Sequence, residues 1–272
     1  MDLIELKNIY YTYSDNTKAL NGIDINIEEG KKVAVLGENG SGKSTLFLIL
    51  NGIYNPSQGD YFYRGKKVGK NGYKELAKDV GLVFQDPDVQ LFAPTVFHEI
   101  SFGLKNIGLK DSDIKDKVME TMEEFKITDL QDKPVHNLSY GQKKLVSIAS
   151  VFAMGCRLFI FDEPTTWLDF RHRETMLEIV DKIHKFNKTI IISTHDTELA
   201  YQWSDEIIVL KKGRVVLAGA PEEVFKNENF LEKLGIEIPL FVKISKRLGL
   251  DKLPGSKEEL LAMMENEKCK LS

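Results

Sequence analysis

The sequence contains little cysteine and no excess of positive charge. Its two cysteines, Cys156 and Cys269, lie far apart along the 272 residues. A disulfide framework is therefore not expected, and a cytosolic setting is favoured. The net charge of −4 provides no overall attraction to nucleic acid or to an anionic membrane. We accordingly expect no nucleic-acid partner.

The sequence also lacks a long hydrophobic run. The most apolar stretch, Leu145 to Gly155, is interrupted by Ser147 and Ser150 and is too short to span a bilayer. The first residues, MDLIELKN, show no basic region followed by an apolar core, so no signal peptide is expected. The length fits one large domain, or one domain with an appendage. Any action at a membrane should then depend on a partner protein.

A glycine-rich stretch, GENGSGKST, is the central feature of the chain. It fits the phosphate-binding pattern G-x-x-x-x-G-K-[ST] and lies between an apolar run that predicts a strand (VAVL) and one that predicts a helix (LFLIL). The loop N–H groups and the positive end of the helix would face the same anion. The stretch consists of Gly37, Glu38, Asn39, Gly40, Ser41, Gly42, Lys43, Ser44 and Thr45. It predicts a nucleoside-triphosphate site, in which Lys43 reaches the β- and γ-phosphates and Ser44 binds Mg²⁺. The alternative is a glycine-rich turn with an incidental lysine.

Polar side chains follow three further predicted strands. VGLVF ends at Gln85, LFIFDEP contains Asp162 and Glu163, and TIIIST is followed by His195. Ligands of parallel α/β sheets bind at the carboxyl ends of the strands. Asp162 is thus placed to hold Mg²⁺ beside Ser44, and Glu163 to accept a proton from an attacking water. His195 can hydrogen-bond a γ-phosphate. The alternatives are a turn-capping glutamine, an acidic turn and a helix-capping histidine.

Two other residues have two interpretations each. Tyr13 lies in the N-terminal strand region, where it can stack on a purine ring or serve as a core or edge-strand tyrosine. In LSYGQKKLVSIASVFA, Ser139 can cap a helix that begins around Gly141, and the start of that helix would offer free N–H groups. Read alone, this motif is an N-capped amphipathic helix.

The remaining segments predict two helical regions. Residues 95–155 have helical patterns and form a candidate subdomain, in which Asp111 and Ser112 are expected to start one helix. From about residue 227 the pattern predicts short amphipathic helices, broken by Pro239 and Pro254. The predicted division is thus a domain at 1–226 and a C-terminal appendage at 227–272.

The order of these motifs resembles that of the ABC ATPases, over Leu3 to Phe225. The resemblance implies an α/β fold: an ABC-type P-loop NTPase with a RecA-like core, an N-terminal antiparallel β subdomain, a helical signature subdomain and a small C-terminal helical appendage. It also implies ATP and Mg²⁺ as cofactors. Hydrolysis would be in-line attack of water, with positioning and charge stabilisation carrying most of the catalysis.

The resemblance assigns a role to each motif. Tyr13 is similar to the adenine-stacking aromatic and Gly37 to Thr45 to the Walker A loop, while Gln85 is similar to the Q-loop glutamine that contacts Mg²⁺ and reports to the transport partner. The other matches are Ser139, Gly141 and Gln142 of the signature motif, Asp162 and Glu163 of Walker B, Asp169 of the D-loop and the switch histidine His195. Catalysis is thereby expected from Glu163, His195 and Lys43, and Mg²⁺ binding from Ser44, Gln85 and Asp162.

The family resemblance also implies partners. Two subunits face each other head to tail, and each nucleotide lies between one chain's phosphate loop and the other chain's Ser139 helix. The expected partners are a second ATPase subunit, identical or a paralogue, and integral membrane transport subunits. The expected location is peripheral, on the cytoplasmic face of the cell membrane.

A narrower resemblance is to the ATPases of energy-coupling-factor (ECF) importers, which take up vitamins or cobalt and nickel ions. VFQDPDVQLF with TVFHEISFG is similar to their Q-loop region, and GIEIPLFVKISKRLGL to their C-terminal extension. LSYGQKK resembles the variant of the metal-importing branch. The alternatives are a vitamin importer, a soluble ABC protein of DNA repair or translation, and a degenerate regulatory subunit. A single phosphate loop and the absence of a basic stripe argue against the soluble class.

Three residues depart from the family pattern. Tyr140 replaces the first glycine of the usual LSGGQ, but Ser139 and Gly141 remain, so activity is expected to survive. Trp167 replaces a small residue just before the D-loop aspartate and is expected to alter the dimer interface. Leu145 occupies a position that is usually basic.

Overall fold

The computed structural model describes residues 2–69, 72–249, 254 and 258–264. Its strands are β1 (Asp2–Thr12), β2 (Lys18–Glu28), β3 (Lys32–Leu36), β4 (Gln58–Tyr63), β5 (Lys66–Lys67), β6 (Val80–Val83), β7 (Leu158–Phe161), β8 (Thr189–Ser193), β9 (Glu206–Lys211) and β10 (Arg214–Gly219). Its helices are α1 (Lys43–Leu50), α2 (Gly72–Asp79), α3 (Pro87–Gln90), α4 (Val96–Asn106), α5 (Asp111–Glu124), α6 (Tyr140–Ala153), α7 (Phe170–Lys185), α8 (Thr197–Trp203), α9 (Pro221–Phe225), α10 (Glu228–Lys233) and α11 (Leu240–Arg247). Residues 258–264 are also helical.

The apolar strands form a six-stranded sheet in the order β10-β9-β3-β8-β7-β6. All of them run parallel except β10, which pairs antiparallel with β9 at one edge. Strands β6, β7 and β8 are buried along their whole length, as expected where both faces of a parallel sheet are covered. The strand that leads into the glycine-rich loop, β3, lies between β8 and β9. The carboxyl ends of β3, β6, β7 and β8 therefore lie side by side, at the same end of these parallel strands.

The alternation of side chains along each strand divides the core into two layers. Val33 and Val35 of β3 pack with α1 and a second sheet, whereas Ala34 and Leu36 pack with α7, α8 and the C-terminal helices. The second sheet is antiparallel, in the order β2-β1-β4-β5, and is formed mainly by the N-terminal strands. The glycine-rich loop thus extends from a strand that is fixed on both faces.

A third hydrophobic cluster lies in α4, α5 and α6. The apolar face of α5 packs here, since Ile114, Val118 and Met122 are buried in this cluster. The predicted helix start is confirmed, because α5 begins at Asp111; its N-cap is Lys110, which makes no side-chain capping bond. The Ser112 hydroxyl donates instead to Asp113, the next residue in the first turn.

Helix α6 connects this cluster to the parallel sheet. Val146 and Ala149 belong to the helical cluster, whereas Ile148 and Val151 pack in the core beside the sheet. A change in the tilt of α6 would therefore affect both the helical cluster and the core beside the sheet. The predicted helix start is confirmed within one residue, because α6 begins at Tyr140 and Ser139 is its N-cap.

The described part of the C-terminal segment packs on the parallel sheet. Leu231, Ile238 and Val242 lie in the same hydrophobic cluster as the strand residues of β8 and β9. The ring of Phe241 in α11 lies 5.0 Å from the ring of Tyr201 in α8, at an angle of 79°. The division of the chain at residue 226 stays a prediction.

Two further expectations concern the cell compartment. Cys156 is buried with a free thiol, and burial raises its pKa to about 12. Cys269 lies outside the described residues, so the expectation about disulfides stays a prediction. Among the described residues, no helix has both the length and the apolar character that crossing a bilayer requires.

We predict that Phe241→Ala destabilises the protein by about 3–5 kcal/mol, the usual cost of removing a buried aromatic side chain. Phe241 is 3% exposed, while its neighbour Leu240 is 64% exposed. Leu240→Ala is the matched control and should change stability by about 0.5 kcal/mol or less. Urea unfolding followed by circular dichroism gives both values. Equal, small losses for the two variants would contradict the packing of α11 on the core.

Candidate nucleotide-binding site

The glycine-rich loop between β3 and α1 has the curled backbone that the sequence predicts. Gly37 has a φ of 155°, and a Cβ atom there would lie 2.4 Å from the Leu210 carbonyl oxygen. Gly42, the N-cap of α1, has a φ of 110°, and a Cβ atom there would lie 2.9 Å from the Ala19 carbonyl oxygen. Because backbone atoms block both positions, only glycine fits them. The loop is held close to β9 and β2.

Lys43 is buried at the start of α1, with its ammonium group directed back into the loop. Its Nζ donates to the carbonyl oxygens of Gly37 at 2.7 Å and Glu38 at 3.2 Å. Burial lowers the pKa of Lys43, while the negative charges of Glu163 and Asp162 oppose this effect. A cation thus lies inside the loop on carbonyl partners that an incoming phosphate can replace.

The Asp162 carboxylate joins the ends of neighbouring elements. Its Oδ2 accepts a hydrogen bond from Ser44 Oγ at 2.7 Å, and its Oδ1 accepts one from Ser193 Oγ at 2.5 Å. Strand β8, which ends at Ser193, lies between β3 and β7, so Ser193 bridges the gap. The predicted proximity of Ser44 and Asp162 is therefore seen in the structure. Ser193 was missed, although a polar residue at the end of the apolar run TIIIS was the available signal.

Glu163 lies at the centre of a group of polar side chains and is 8% exposed. Its Oε2 accepts hydrogen bonds from Gln85 Nε2 at 3.3 Å and from Thr166 Oγ1 at 2.9 Å. The Nδ1 atom of His195 lies 3.4 Å from the other carboxylate oxygen. Glu163 also has a left-handed backbone, with a φ of 46°, which is uncommon outside glycine. The structure thus brings Gln85, Glu163 and His195 together, and it adds Thr166, which no sequence pattern indicated.

His195 is held by the residue that follows it. The Asp196 carboxylate caps α8 through the Leu199 N–H at 3.0 Å and also accepts a hydrogen bond from Arg173 of α7. The side chain of His195 itself is 67% exposed. Its backbone is therefore fixed while its ring stays accessible to a ligand.

Tyr13 follows the end of β1 and lines the cleft above the glycine-rich loop. Its hydroxyl is hydrogen-bonded to Thr45 Oγ1 at 2.8 Å. Its ring meets the edges of Tyr11 and Tyr54, which stack on each other with centroids 4.9 Å apart. Tyr13 is the aromatic side chain of this group that lines the cleft, as a ring that stacks on a base requires.

The cleft has a volume of about 350 Å³. It is lined by Tyr13, Thr17, Lys18, Ala19, Asn39, Gly40, Gly42, Lys43, Ser44, Thr45, Gln85, Asp162 and Glu163. Two observations show that these residues fit a nucleotide phosphate. Ser41 Oγ is buried in the loop without a hydrogen-bond partner, and a Cβ atom built on Gly40 would meet nothing within 4 Å. The Glu38 side chain points away from the cleft, close to Gly235.

The oxygen atoms beside the loop fit Mg²⁺. Ser44, Asp162 and Gln85 supply hydroxyl, carboxylate and amide oxygens, and Mg²⁺ is commonly held by one or two carboxylates together with substrate phosphates and water. Among the described residues, no group of three or more His, Cys, Asp and Glu side chains forms a metal cage. Mg²⁺ bound beside the loop would take its remaining ligands from nucleotide phosphates and water.

Lys144 is a further residue that sequence reasoning missed. It is fully buried in α6, and its Nζ donates to the carbonyl oxygens of Phe84 at 3.3 Å and Gln85 at 2.5 Å. Burial lowers its pKa to about 8, against the negative charges of Asp162, Asp86 and Glu163. A lysine on the apolar side of a helix gives no signal of this contact, because its partners are carbonyl groups of a distant loop.

The signature residues lie in a different cleft from the glycine-rich loop. Ser139 and Gln142 form a capping box: Ser139 Oγ accepts from the Gln142 N–H at 3.3 Å, and Gln142 Oε1 accepts from the Ser139 N–H at 3.1 Å. Both line a cleft with Gly141 and His172. Asp169 caps α7 and accepts hydrogen bonds from the backbone and the ring of His172 at 3.0 and 2.8 Å. One chain thus presents two separate groups of candidate residues.

Comparison with known proteins agrees with this arrangement. A family model described as ABC transporter matches residues 20–166. This chain belongs to the ABC transporter family. It is 42% identical over 241 residues to the energy-coupling factor transporter ATP-binding protein EcfA of Carboxydothermus hydrogenoformans, covering 89% of each protein. It is 39% identical over 248 residues to EcfA2 of Methanospirillum hungatei, covering 90% of this chain and 62% of that protein. The chain also spans 54% of the length of an ABC transporter ATP-binding protein of Methanosarcina mazei, at 41% identity.

Two solved structures of ABC proteins have the same fold. CbiO1 from Clostridium perfringens, described as part of the ABC transporter complex cbiONQ, has a TM-score of 0.75 and 38% identity, covering 92% of this chain and 99% of that chain. The ATP-binding cassette MJ0796, in a dimeric post-hydrolysis state bound to ADP and Pi, has a TM-score of 0.72 and 25% identity, covering 80% of this chain and 98% of that chain. The predicted fold class is therefore confirmed. The chain is an ABC ATPase, and its relatives include energy-coupling factor transporter ATP-binding proteins.

We predict that Lys43→Ala abolishes tight ATP binding. Hydrogen bonds to charged groups contribute about 1.5–3 kcal/mol each, so loss of the ammonium group should weaken binding by at least about tenfold. Lys66→Ala, which removes an exposed cation of β5, is the control and should leave affinity unchanged. Calorimetric titration with ATP measures both. An unchanged Kd for the Lys43 variant would contradict the assignment of the loop.

Proposed function

We propose that this chain hydrolyses Mg²⁺-bound ATP to drive an ECF-type importer, with cobalt or nickel ions as the favoured solute. The observation that carries the proposal is the convergence of Gln85, Asp162, Glu163 and His195 beside Lys43 and Ser44. These side chains come from the ends of three strands and the start of one helix. A glycine-rich loop with only a structural role would not require these polar side chains beside it.

The chemistry follows from the position of each side chain. Glu163 is nearly buried and its carboxylate faces Gln85 and His195, so it can orient a water molecule and accept its proton. Lys43 can transfer its hydrogen bonds from the loop carbonyl groups to phosphate oxygens. His195 can donate to the terminal phosphate, since its ring is accessible. Mg²⁺, when bound, would supply charge neutralisation between the phosphates, held by Ser44, Asp162 and Gln85.

The active unit in this proposal is a pair of chains. Ser139, Gly141 and Gln142 line a cleft that contains no residue of the glycine-rich loop. The start of α6 is therefore an anion site without an anion from its own chain. The dimeric state of MJ0796 supports such pairing. The second subunit would be an identical chain or a paralogue, and it would complete each nucleotide site with its own Ser139 helix.

The membrane partner would dock beside the Q-loop. Val89, Phe92 and Phe102 are exposed by 71%, 64% and 45%, and the rings of Phe92 and Phe102 meet edge to face with centroids 4.7 Å apart. An exposed apolar group of this kind indicates a protein interface. The segment that carries Phe92 is tied to the strand end that carries Gln85. Gln90, which lies between these two residues in the sequence, accepts a hydrogen bond from the Phe84 N–H through its Oε1 at 3.1 Å. Contact there would place this chain at the cytoplasmic face of the membrane.

The solute is the part of the proposal that depends on the signature motif. LSYGQKK resembles the metal-importing branch of the ECF family. The likeness to cbiO1, a part of the cbiONQ complex, supports assembly with further subunits. A vitamin importer is the alternative within the same family.

We predict that Glu163→Gln lowers ATP turnover of the assembled complex by at least about a hundredfold, since general-base catalysis contributes about 10²–10⁴-fold. Glu75→Gln, in the exposed first turn of α2, is the control and should leave turnover unchanged. Turnover is measured by phosphate release from the complex purified with its membrane subunits. If Glu163→Gln leaves turnover unchanged, the assignment of the base is wrong.

Uptake by vesicles that contain the same complex tests the solute. Wild-type vesicles with internal ATP should accumulate Co²⁺ or Ni²⁺, and vesicles with the Glu163→Gln variant should not. Uptake of a vitamin without either ion would contradict the metal branch while leaving the ATPase assignment intact.

We predict that Phe92→Glu reduces co-purification with the membrane subunits by about tenfold or more, because it places a charge in an apolar interface. Binding of ATP to the isolated chain should stay the same. Phe230→Glu, at a 43%-exposed phenylalanine of α10, is the matched control. Equal recovery of membrane subunits with both variants would contradict docking beside the Q-loop.

A further inference from the structure

The backbone carbonyl of Gln85 is held by two donors from α6. Lys144 Nζ lies 2.5 Å from the Gln85 oxygen, and the Tyr140 hydroxyl donates to the same oxygen at 3.2 Å. A carbonyl oxygen has two lone pairs, so both are used. The backbone of Gln85 is therefore hydrogen-bonded to the first two turns of α6.

Tyr140 also contacts the segment before the D-loop aspartate. Its ring lies 6.1 Å from the Trp167 ring at an interplanar angle of 71°, an edge-to-face arrangement. Trp167 has a φ of 62° and is 69% exposed. A left-handed conformation is unfavourable for a bulky residue unless the surroundings enforce it. The ring contact with Tyr140 is one interaction that holds this residue in place.

These contacts connect three segments that the chemistry needs. Gln85 bonds to Glu163, Trp167 lies between Glu163 and Asp169, and Tyr140 follows Ser139, the cap of α6. A glycine at position 140 has neither a ring nor a hydroxyl and makes neither contact.

We propose that Tyr140 is a positioning residue that couples the Q-loop and the Trp167 segment to the start of α6, so that the three move as one unit. The inference rests on the proposed ATPase function. Tyr140 is not among the residues that line the cleft above the glycine-rich loop, so it acts on the rate of turnover and not on the first binding of ATP. This residue joins, within one chain, the group of side chains around Glu163 and the group around Ser139.

A double-mutant cycle on ATP turnover of the assembled complex tests the ring contact. Tyr140→Leu and Trp167→Leu should each lower kcat by about three- to tenfold, as expected for an aromatic pair worth about 0.5–1.5 kcal/mol. Because the two rings share one contact, the double variant should lose no more than the worse single variant. Phe186→Leu, which removes a ring contact with Phe152 at 5.6 Å, is the matched control and should keep kcat within about twofold. Multiplicative losses in the double variant would overturn the coupling.

The hydroxyl group is tested by Tyr140→Phe, which keeps the ring. Loss of one hydrogen bond worth about 0.5–1.5 kcal/mol should lower kcat by about two- to tenfold. The Kd of the isolated chain for ATP should not change. An altered Kd, with kcat unchanged, would indicate a general structural role and overturn the proposal.

Fluorescence gives a readout that does not depend on turnover. The sequence has two tryptophans, and Trp203 is 7% exposed, so acrylamide quenching reports mainly on Trp167. Tyr140→Leu should increase this quenching, whereas Tyr140→Phe should not. Quenching that is equal in all three proteins would contradict the ring contact.

If the wild-type complex hydrolyses no ATP, the proposed function fails, whereas an active wild type with uncoupled variants disproves this inference alone.

Discussion

The carboxylate of Asp162 is the interaction on which the candidate site depends. It accepts one hydrogen bond from Ser44, at the start of α1, and one from Ser193, at the end of β8. These bonds fix the spacing between the glycine-rich loop and the ends of β7 and β8. The Ser193 hydroxyl also accepts from the Glu163 N–H at 2.8 Å, so one serine sets the position of both carboxylates. Since the parallel sheet is covered on both faces, these strand ends have little freedom to shift.

The sequence was sufficient for the features that depend on neighbours along the chain. Apolar runs such as VAVL and LFIF predicted buried strands, and the parallel order of the sheet placed Gln85, Asp162 and His195 at one edge. Features that depend on distant partners were missed: Lys144 has no local signal of its contact with Gln85, and the polar end of TIIIS does not name Asp162 as the partner of Ser193. The start of α5 at Asp111 could also be predicted locally, because acidic residues are favoured in the first turn of a helix.

The separation of the two clefts has a simple origin in the fold. The glycine-rich loop follows β3, in the middle of the sheet, whereas the signature residues begin α6, which packs on the helical cluster and on the sheet together. Within one chain, the residues at the start of α6 and those at the start of α1 line separate clefts. In the proposed pair of chains, a nucleotide bound by both groups would lie between the two subunits. Tyr140 matters in this respect, because its hydroxyl group links α6 to the Gln85 carbonyl oxygen within one chain.

The C-terminal helices take part in the same mechanics. Helix α8 begins two residues after His195, and its Glu198 carboxylate accepts a hydrogen bond from the Leu240 N–H at the start of α11. Tyr201 of α8 packs on Phe241 with ring centroids 5.0 Å apart. His195 thus lies between β8, which is buried in the sheet, and a helix that the C-terminal segment holds from outside. Removing that support would leave the backbone of His195 fixed on one side only, so the described C-terminal helices contribute to the geometry of the site as well as to the core.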